Sequence, residues 1–347
     1  MMKEAMFYKN INDDIVQCYL CPHSCVINPG MRGKCGVREN QAGKLIALSY
    51  GKTISTAVDP IEKKPLFHFL PGTKTYSISA VGCNMTCEFC QNWEISQMPK
   101  PMKPVFGKEM SPEEIVEDAL ESGCKSISYT YTEPTIFFEY AYDIAKIAYE
   151  KGLANVFVSN GFISKEAIDK ISPYLDAINI DLKGFTEEFY ENVCGARLEP
   201  VLDAIKRFHE KCVWIELTTL IVPGHNDSSE MIDNMADFIY KLDKRIPWHI
   251  SRFHPQYKMQ GQKPTDIETI KEAYDAGIKK GLKYVYTGNI YEGASEDTEC
   301  PRCGKTIMRR DMFDLVETNL NKTKCGFCNE DIDLIIDVNT KDSLRTK

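Results

Sequence analysis

An α/β fold is predicted for this chain: a partial (β/α)6-type TIM barrel with a cysteine-rich N-terminal module and a zinc-ribbon-like C-terminal module. Three observations predict it. Short apolar runs alternate with helix-length amphipathic segments between residues 77 and 289, 11 of the 14 cysteines fall into three tight groups, and both chain ends break the alternation. Strand–helix alternation of this kind reads as successive βαβ units on a parallel sheet. The expected divisions are residues 1–72, 73–295 and 296–347.

The first 72 residues are short-patterned and turn-rich, with Asn28-Pro29-Gly30 and Pro71-Gly72 as turn signals. Candidate strands then follow at Tyr76–Val81, Ser126–Tyr131, Asn155–Ser159, Ala177–Asp181, Val213–Val222, Trp248–Phe253 and Tyr284–Thr287. Between them, Ile136, Phe137, Tyr140, Ile144 and Ile147 share one helical face, as do Ile232, Met235, Phe238, Ile239 and Leu242. Ser111-Pro112-Glu113-Glu114 reads as a helix start, with a hydroxyl cap, proline at the first helical position and acids at the positive dipole end.

Composition narrows the function classes. In 347 residues, 43% are hydrophobic and 27% charged, as in globular proteins. No apolar run of 18 residues and no basic-then-apolar leader is present, so no membrane partner and a cytoplasmic location are expected. Lys and Arg number 42 against 50 acids, a net charge of −8 that argues against a nucleic-acid partner held by bulk electrostatics. In a reducing compartment, 14 cysteines point to metal or redox chemistry and away from disulfides. The scattered Cys124, Cys194 and Cys212 read as small buried hydrophobes.

The sharpest signal is GCNMTCEFCQNWE, where Cys83, Cys87 and Cys90 stand in C-x3-C-x2-C spacing just after the first candidate strand. Chemistry in parallel α/β folds sits at the C-terminal ends of strands. Thiolates hold iron–sulfur clusters, and three local ligands for four irons leave one iron open to substrate. A zinc loop completed by a distant side chain is the competing reading.

This loop, with Phe89 before the third cysteine, resembles the radical S-adenosylmethionine (SAM) enzymes. The resemblance implies a [4Fe-4S] cluster on Cys83, Cys87 and Cys90, with SAM chelating the open iron. Reductive cleavage would then give a 5′-deoxyadenosyl radical that abstracts hydrogen from a substrate. Later segments resemble the glycyl-radical activases, similar to pyruvate formate-lyase activating enzyme. Tyr131-Thr132-Glu133-Pro134 stands where their Gly-Gly-Glu-Pro would, and implies Glu133 as acceptor for the SAM amino group. Ser159-Asn160-Gly161 resembles Thr-Asn-Gly, and Asp181-Leu182-Lys183 resembles Asp-Leu-Lys, with Lys183 for the SAM carboxylate and Asp181 for a ribose or cation. His254, in Arg252-Phe253-His254-Pro255, matches a histidine near the cofactor, and Phe89 would pack near the adenine. Val158 departs from the acid that precedes Thr-Asn-Gly in the activases and from their cation site.

CYLCPHSCVINPGMRGKCGVREN, DPIEKKPLFHFLPG and SRFHPQYKM, with the terminal cysteines, resemble the AmmeMemoRadiSam-system radical SAM enzymes. A ferredoxin- or flavodoxin-like electron donor is implied, and either a protein or a small molecule as substrate. An iron–sulfur electron carrier, and a zinc-dependent interaction protein, are the rivals from other classes.

Two flanking groups remain. Cys300, Cys303, Cys325 and Cys328 form C-x2-C-x21-C-x2-C, the pattern of a closed structural zinc site, with a rubredoxin-like iron site as alternative. Cys18, Cys21, Cys25 and Cys35 form C-x2-C-x3-C-x9-C, readable as zinc or as an auxiliary iron–sulfur cluster, with His23 read as a neighbour and not a ligand. His68 reads as a packed loop residue.

Overall fold

The structure is a computed structural model, and it describes residues 2–290 and 296–337. The expected boundary at 295 and the terminal residues 338–347 lie outside them.

Seven parallel strands form the main sheet: β2 (Lys74–Ser79), β3 (Ser126–Tyr129), β4 (Ala154–Ser159), β5 (Ala177–Asp181), β6 (Trp214–Ile221), β7 (Trp248–Arg252) and β8 (Val285–Gly288). They lie side by side in sequence order. Each coincides with one of the seven expected runs. Their interiors alternate buried apolar residues with buried Ser, Thr and Asn, as in Thr75-Tyr76-Ser77-Ile78-Ser79 and Ser126-Ile127-Ser128-Tyr129, so both faces of the sheet are covered.

Six helices make the crossovers: α1 (Pro112–Glu121), α2 (Phe138–Glu150), α3 (Lys165–Ile171), α4 (Leu198–Glu210), α5 (Ser229–Asp243) and α6 (Ile267–Lys280). α1 begins in a full capping box. The Ser111 hydroxyl accepts from Glu114 N–H at 3.2 Å, and the Glu114 carboxylate accepts from Ser111 N–H at 2.6 Å. In α5, Ile232, Met235 and Ile239 are buried as the periodicity requires.

One strand was not expected. β1 (Ser55–Pro60) lies within the stretch assigned to the N-terminal module, yet it pairs antiparallel with β2 and extends the sheet. Its sequence, STAVDP, has too little hydrophobic alternation to stand out. The rest of the N-terminal module holds two three-stranded antiparallel sheets, and its strand Lys52–Thr53 pairs with Lys108–Glu109. It is fixed to α2 by the fully buried ion pair of Arg38 with Glu139, at 3.0 Å.

Beyond the large sheet, the strands Thr298–Glu299, Thr306–Asp311 and Asp314–Thr318 form a third unit. It packs Ile307, Met308, Ile332 and Leu334 against Phe67, Tyr284 and Tyr286. His68 sits at this junction, its Nδ1 bonded to the Asp333 carbonyl at 2.7 Å and its Nε2 to the Tyr286 hydroxyl at 2.6 Å. Beneath it the buried Glu216 carboxylate accepts from the Phe67 and His68 amides, Trp214 Nε1 and His249 Nε2. Among the described residues no helix is long and apolar enough to cross a membrane.

Candidate active site

The loop after β2 carries the central cysteines, and its shape is set from three sides. At its start Gly82 has φ +107°, and a Cβ there would stand 3.0 Å from Val37 Cγ1 and 3.1 Å from the Cys35 carbonyl oxygen. Only glycine suits that backbone and that approach. Further on, Thr86 N–H donates to Cys194 O at 2.9 Å and Glu88 N–H to Val193 O at 3.1 Å. The Asn84 side chain donates to Phe162 O at 2.7 Å, while His23 Nε2 lies 2.8 Å from Asn84 O.

Cys83, Cys87 and Cys90 all face one cavity of about 320 Å³, together with Phe89, Ser159, Asn160, Asp181 and Lys183. Eight residues from three separate motifs thus meet at the carboxyl ends of β2, β4 and β5. Asn160 Nδ2 is 3.6 Å from Cys83 Sγ and donates to Asn84 Oδ1 at 2.9 Å. The Lys183 ammonium pairs with Asp181 at 2.7 Å and lies 5.8 Å from the centre of the Phe89 ring. Burial works against the Lys183 charge, but Asp181 and the thiols of Cys87 and Cys194 outweigh it and hold its pKa well above the usual lysine range. The Asn226 side chain donates to Lys183 O at 2.6 Å and Leu220 O at 2.8 Å, so the loop after β6 braces the Asp-Leu-Lys segment.

Two expected site residues stand elsewhere. Glu133 does not line the cavity. As the cap of the Pro134–Phe137 turn it folds back on itself, and its carboxylate accepts from Thr135 N–H, Thr135 Oγ1, Ser159 Oγ and Asn160 N–H. Burial raises its pKa against those four donors. Its place is behind Ser159 and Asn160, holding them toward the cavity. His254 lies two residues past the end of β7 and lines an adjoining cavity of about 620 Å³, its Nε2 3.3 Å from Asn289 O. The two cavities share Gln91, Thr218, Ser251 and Asn289.

The sequence did not reveal Lys64 and Tyr131 as part of the wall. Tyr131 has φ +63°, the left-handed conformation, at the position of the first glycine of the Gly-Gly-Glu-Pro resemblance. A non-glycine residue there costs on the order of 1–2 kcal/mol. Its hydroxyl is anchored to Asp59 at 2.5 Å, and the Lys64 ammonium sits 4.6 Å over its ring. Buried Lys64 also pairs with Asp59 at 2.7 Å, and burial, opposed by that pairing, brings its pKa down to about 8. The Lys-Lys of DPIEKKP was the available signal.

The donor set fits a polynuclear cluster with an open corner. The three thiols share one cavity, but their sulfurs are not gathered as around a single ion; among the described residues, convergence within 4.8 Å occurs at the C-terminal quartet. Among the described residues no fourth cysteine lines the cavity. Cys194 is fully buried behind Cys87, its thiol touching Cys87, and Cys124 is buried as expected, whereas Cys212 is exposed in the turn before β6, against the expectation of a buried residue. Backbone N–H groups of Met85 and Asn92 are aimed at Cys83 and Cys90, donors that favour thiolate ligands.

A match to the Radical SAM superfamily covers residues 77–239, from β2 through most of α5. The chain carries a Radical SAM superfamily domain. It is 46% identical over 338 residues to "Uncharacterized protein MJ0808" of Methanocaldococcus jannaschii, covering 96% of this chain and 100% of that one, and belongs to the same family. Pyruvate formate-lyase 1-activating enzyme of Escherichia coli is a distant relative, 22% identical over 59% of this chain and 89% of its own length. Among solved structures, Streptococcus suis SuiB bound to S-adenosylmethionine gives a TM-score of 0.49 at 15% identity, covering 61% of this chain and 49% of that one. The Radical SAM domain implies a [4Fe-4S] cluster and SAM, and the loop of Cys83, Cys87 and Cys90 is where the thiols of this chain suit them.

The flanking groups differ from each other. Cys300 and Cys328 sulfurs are 3.6 Å apart, Cys303 and Cys325 are 3.8 Å apart, and all four lie within 4.8 Å. Burial pushes the Cys325 thiol up, but the N–H groups of Phe327 and Cys328 and the neighbouring thiols bring it down to about 7. This quartet can hold one metal ion. Cys18, Cys21, Cys25 and Cys35 instead ring a separate enclosed space beside the central loop.

Proposed function

We propose that this chain reductively cleaves S-adenosylmethionine and uses the resulting radical to take a hydrogen atom from a substrate in the adjoining cavity. The observation that carries this reading is the single cavity at the strand ends: three thiols, no fourth among the described residues, and a Lys183–Asp181 pair across from them. When bound, the cluster supplies one electron to the sulfonium, and SAM supplies the 5′-deoxyadenosyl group.

The chain's own residues bind and orient. Lys183 offers an ammonium to the SAM carboxylate, and Asp181 keeps that ammonium charged and fixed. Ser159 and Asn160 present polar groups beside Cys83, held from behind by Glu133. Phe89, stacked on Phe189 at 6.3 Å, gives an apolar wall for the adenine. We read the seven-stranded sheet as a partial barrel whose interior holds both cavities. The C-terminal module closes the substrate side through Arg309, Arg310 and Phe313, and its cysteine quartet is read as a structural zinc site.

A ferredoxin- or flavodoxin-like protein is the proposed electron donor, in a reducing cytoplasm. The AmmeMemoRadiSam system is the proposed context. A protein glycine as substrate is the second reading, favoured by the alignment that spans 89% of the E. coli activase.

The test is anaerobic reconstitution, reduction with dithionite and assay of 5′-deoxyadenosine after SAM is added. Product is expected from the native chain and none from Cys87→Ala. Product at native rate from Cys87→Ala would overturn the assignment.

A further inference from the structure

The N-terminal cysteines come from separate turns: Cys18 ends the strand Val16–Cys18, Cys21 and Cys25 follow in the next turn, and Cys35 precedes the strand Arg38–Gln41. All four are free thiols and line one enclosed space with His23, Gly33 and Arg38.

The C-terminal quartet of the same chain shows what a one-ion site looks like here. A tetrahedral zinc with Zn–S bonds of about 2.3 Å places its sulfurs about 3.8 Å apart. The C-terminal sulfurs meet that spacing at 3.6 and 3.8 Å. Among the described residues the N-terminal four do not, for no three of them lie within 4.8 Å of one another. Thiolates that each bind a different corner of an iron–sulfur core stand farther apart than thiolates sharing one ion.

Arg38 gives an independent indication. It is 2% exposed, lines this space, and has an Nε with no hydrogen-bond partner. Its other nitrogens are committed to the Glu139 carboxylate and the Met6 carbonyl. A buried donor without an acceptor is costly and rare. Sulfide and thiolate sulfurs of a cluster would supply the acceptor. His23 is engaged elsewhere, Nε2 with Asn84 O at 2.8 Å and Nδ1 with Lys34 Nζ at 3.4 Å, which leaves four thiols as the ligand set.

We propose that Cys18, Cys21, Cys25 and Cys35 hold a second, polynuclear iron–sulfur cluster, closed by four thiolates, and not a zinc ion. It lies directly beside the central loop, because the Cys35 carbonyl abuts Gly82 and His23 holds Asn84. The inference stands apart from the SAM chemistry, since it concerns a separate ligand set with its own readout.

The test measures metal and spectra on the full chain, reconstituted anaerobically with iron and sulfide. In Cys83→Ala/Cys87→Ala/Cys90→Ala, about two to four iron ions per chain are expected to remain. They should show thiolate-to-iron absorption and a reduced-state paramagnetic signal indifferent to SAM. Cys18→Ser/Cys35→Ser should lose that iron and keep the SAM-responsive signal. An iron-free triple variant with about two zinc ions per chain would overturn the proposal. The native chain needs no substitution: iron clearly above the roughly four of one cubane supports the second cluster, and about four contradicts it.

Discussion

Glu133 holds Asn160 by its backbone, with Asn160 N–H donating to Glu133 Oε2 at 2.8 Å while the Asn160 side chain reaches Cys83 Sγ at 3.6 Å. A residue out of contact with the cavity thereby sets the position of one that lines it.

Glu133→Gln replaces an acceptor with an N–H2 group that must face one of four donors. One buried donor is left unsatisfied, at about 1–3 kcal/mol. The expected outcome is a lower melting temperature and a KM for SAM raised by roughly tenfold, with iron content retained. An unchanged KM would show that Glu133 serves stability alone.

Lys183→Met removes the ammonium paired with Asp181. Charge-assisted hydrogen bonds contribute about 1.5–3 kcal/mol, so SAM affinity should fall about 10- to 100-fold. Iron content and the cluster's absorption should stay as in the native chain, since Lys183 is not a ligand. Equilibrium binding of SAM to the reconstituted protein before reduction measures it, and native affinity in the variant would remove Lys183 from the site.

Legibility in the sequence followed the physics of each element. All seven parallel strands were readable because each is a short run centred on β-branched or aromatic residues and set off by helix-length amphipathic segments, and α1 because Ser111 and Pro112 mark its start. β1 was hidden, since an antiparallel edge strand such as STAVDP is held by backbone pairing and not by an apolar pattern. At the site, Cys83, Cys87, Cys90, Asp181 and Lys183 were legible as strand-end motifs. Glu133 was legible as a residue of the site but not in its orientation, which depends on the turn begun by Pro134 and on donors 26 and 27 residues away. Lys64 and Tyr131 were not legible, because their link to Asp59 exists only after β1 has paired with β2.

The Arg38–Glu139 pair fixes the N-terminal module to α2. Both side chains are buried, and Glu139 also accepts from Met6 N–H at 2.6 Å. Breaking one partner of such a pair costs about 3–5 kcal/mol. Glu139→Gln should lower the urea midpoint by a corresponding amount and expose the module to proteolysis, which limited digestion would show. A native midpoint would contradict the buried pairing.

His68 makes stability depend on pH. Burial lowers its pKa to about 4, against the opposing pull of Glu216 and the Asp333 carbonyl. The folded protein therefore keeps His68 neutral where the unfolded chain, with a pKa of about 6.5, takes up a proton. Its contribution is complete above about pH 6.5 and is lost as pH falls toward 4, about 3 kcal/mol in all. Comparison of urea midpoints at the two ends of this window should show a smaller drop for His68→Gln than for the native chain. Equal drops would assign the pH dependence to other groups.

Electron paramagnetic resonance of the anaerobically reconstituted, dithionite-reduced protein, before and after SAM is added, decides whether SAM binds the cluster at these cysteines. The signal lost in Cys83→Ala/Cys87→Ala/Cys90→Ala is expected to be the one that changes its g-values when SAM binds. A reduced cluster at these cysteines whose spectrum is identical with and without saturating SAM would contradict it.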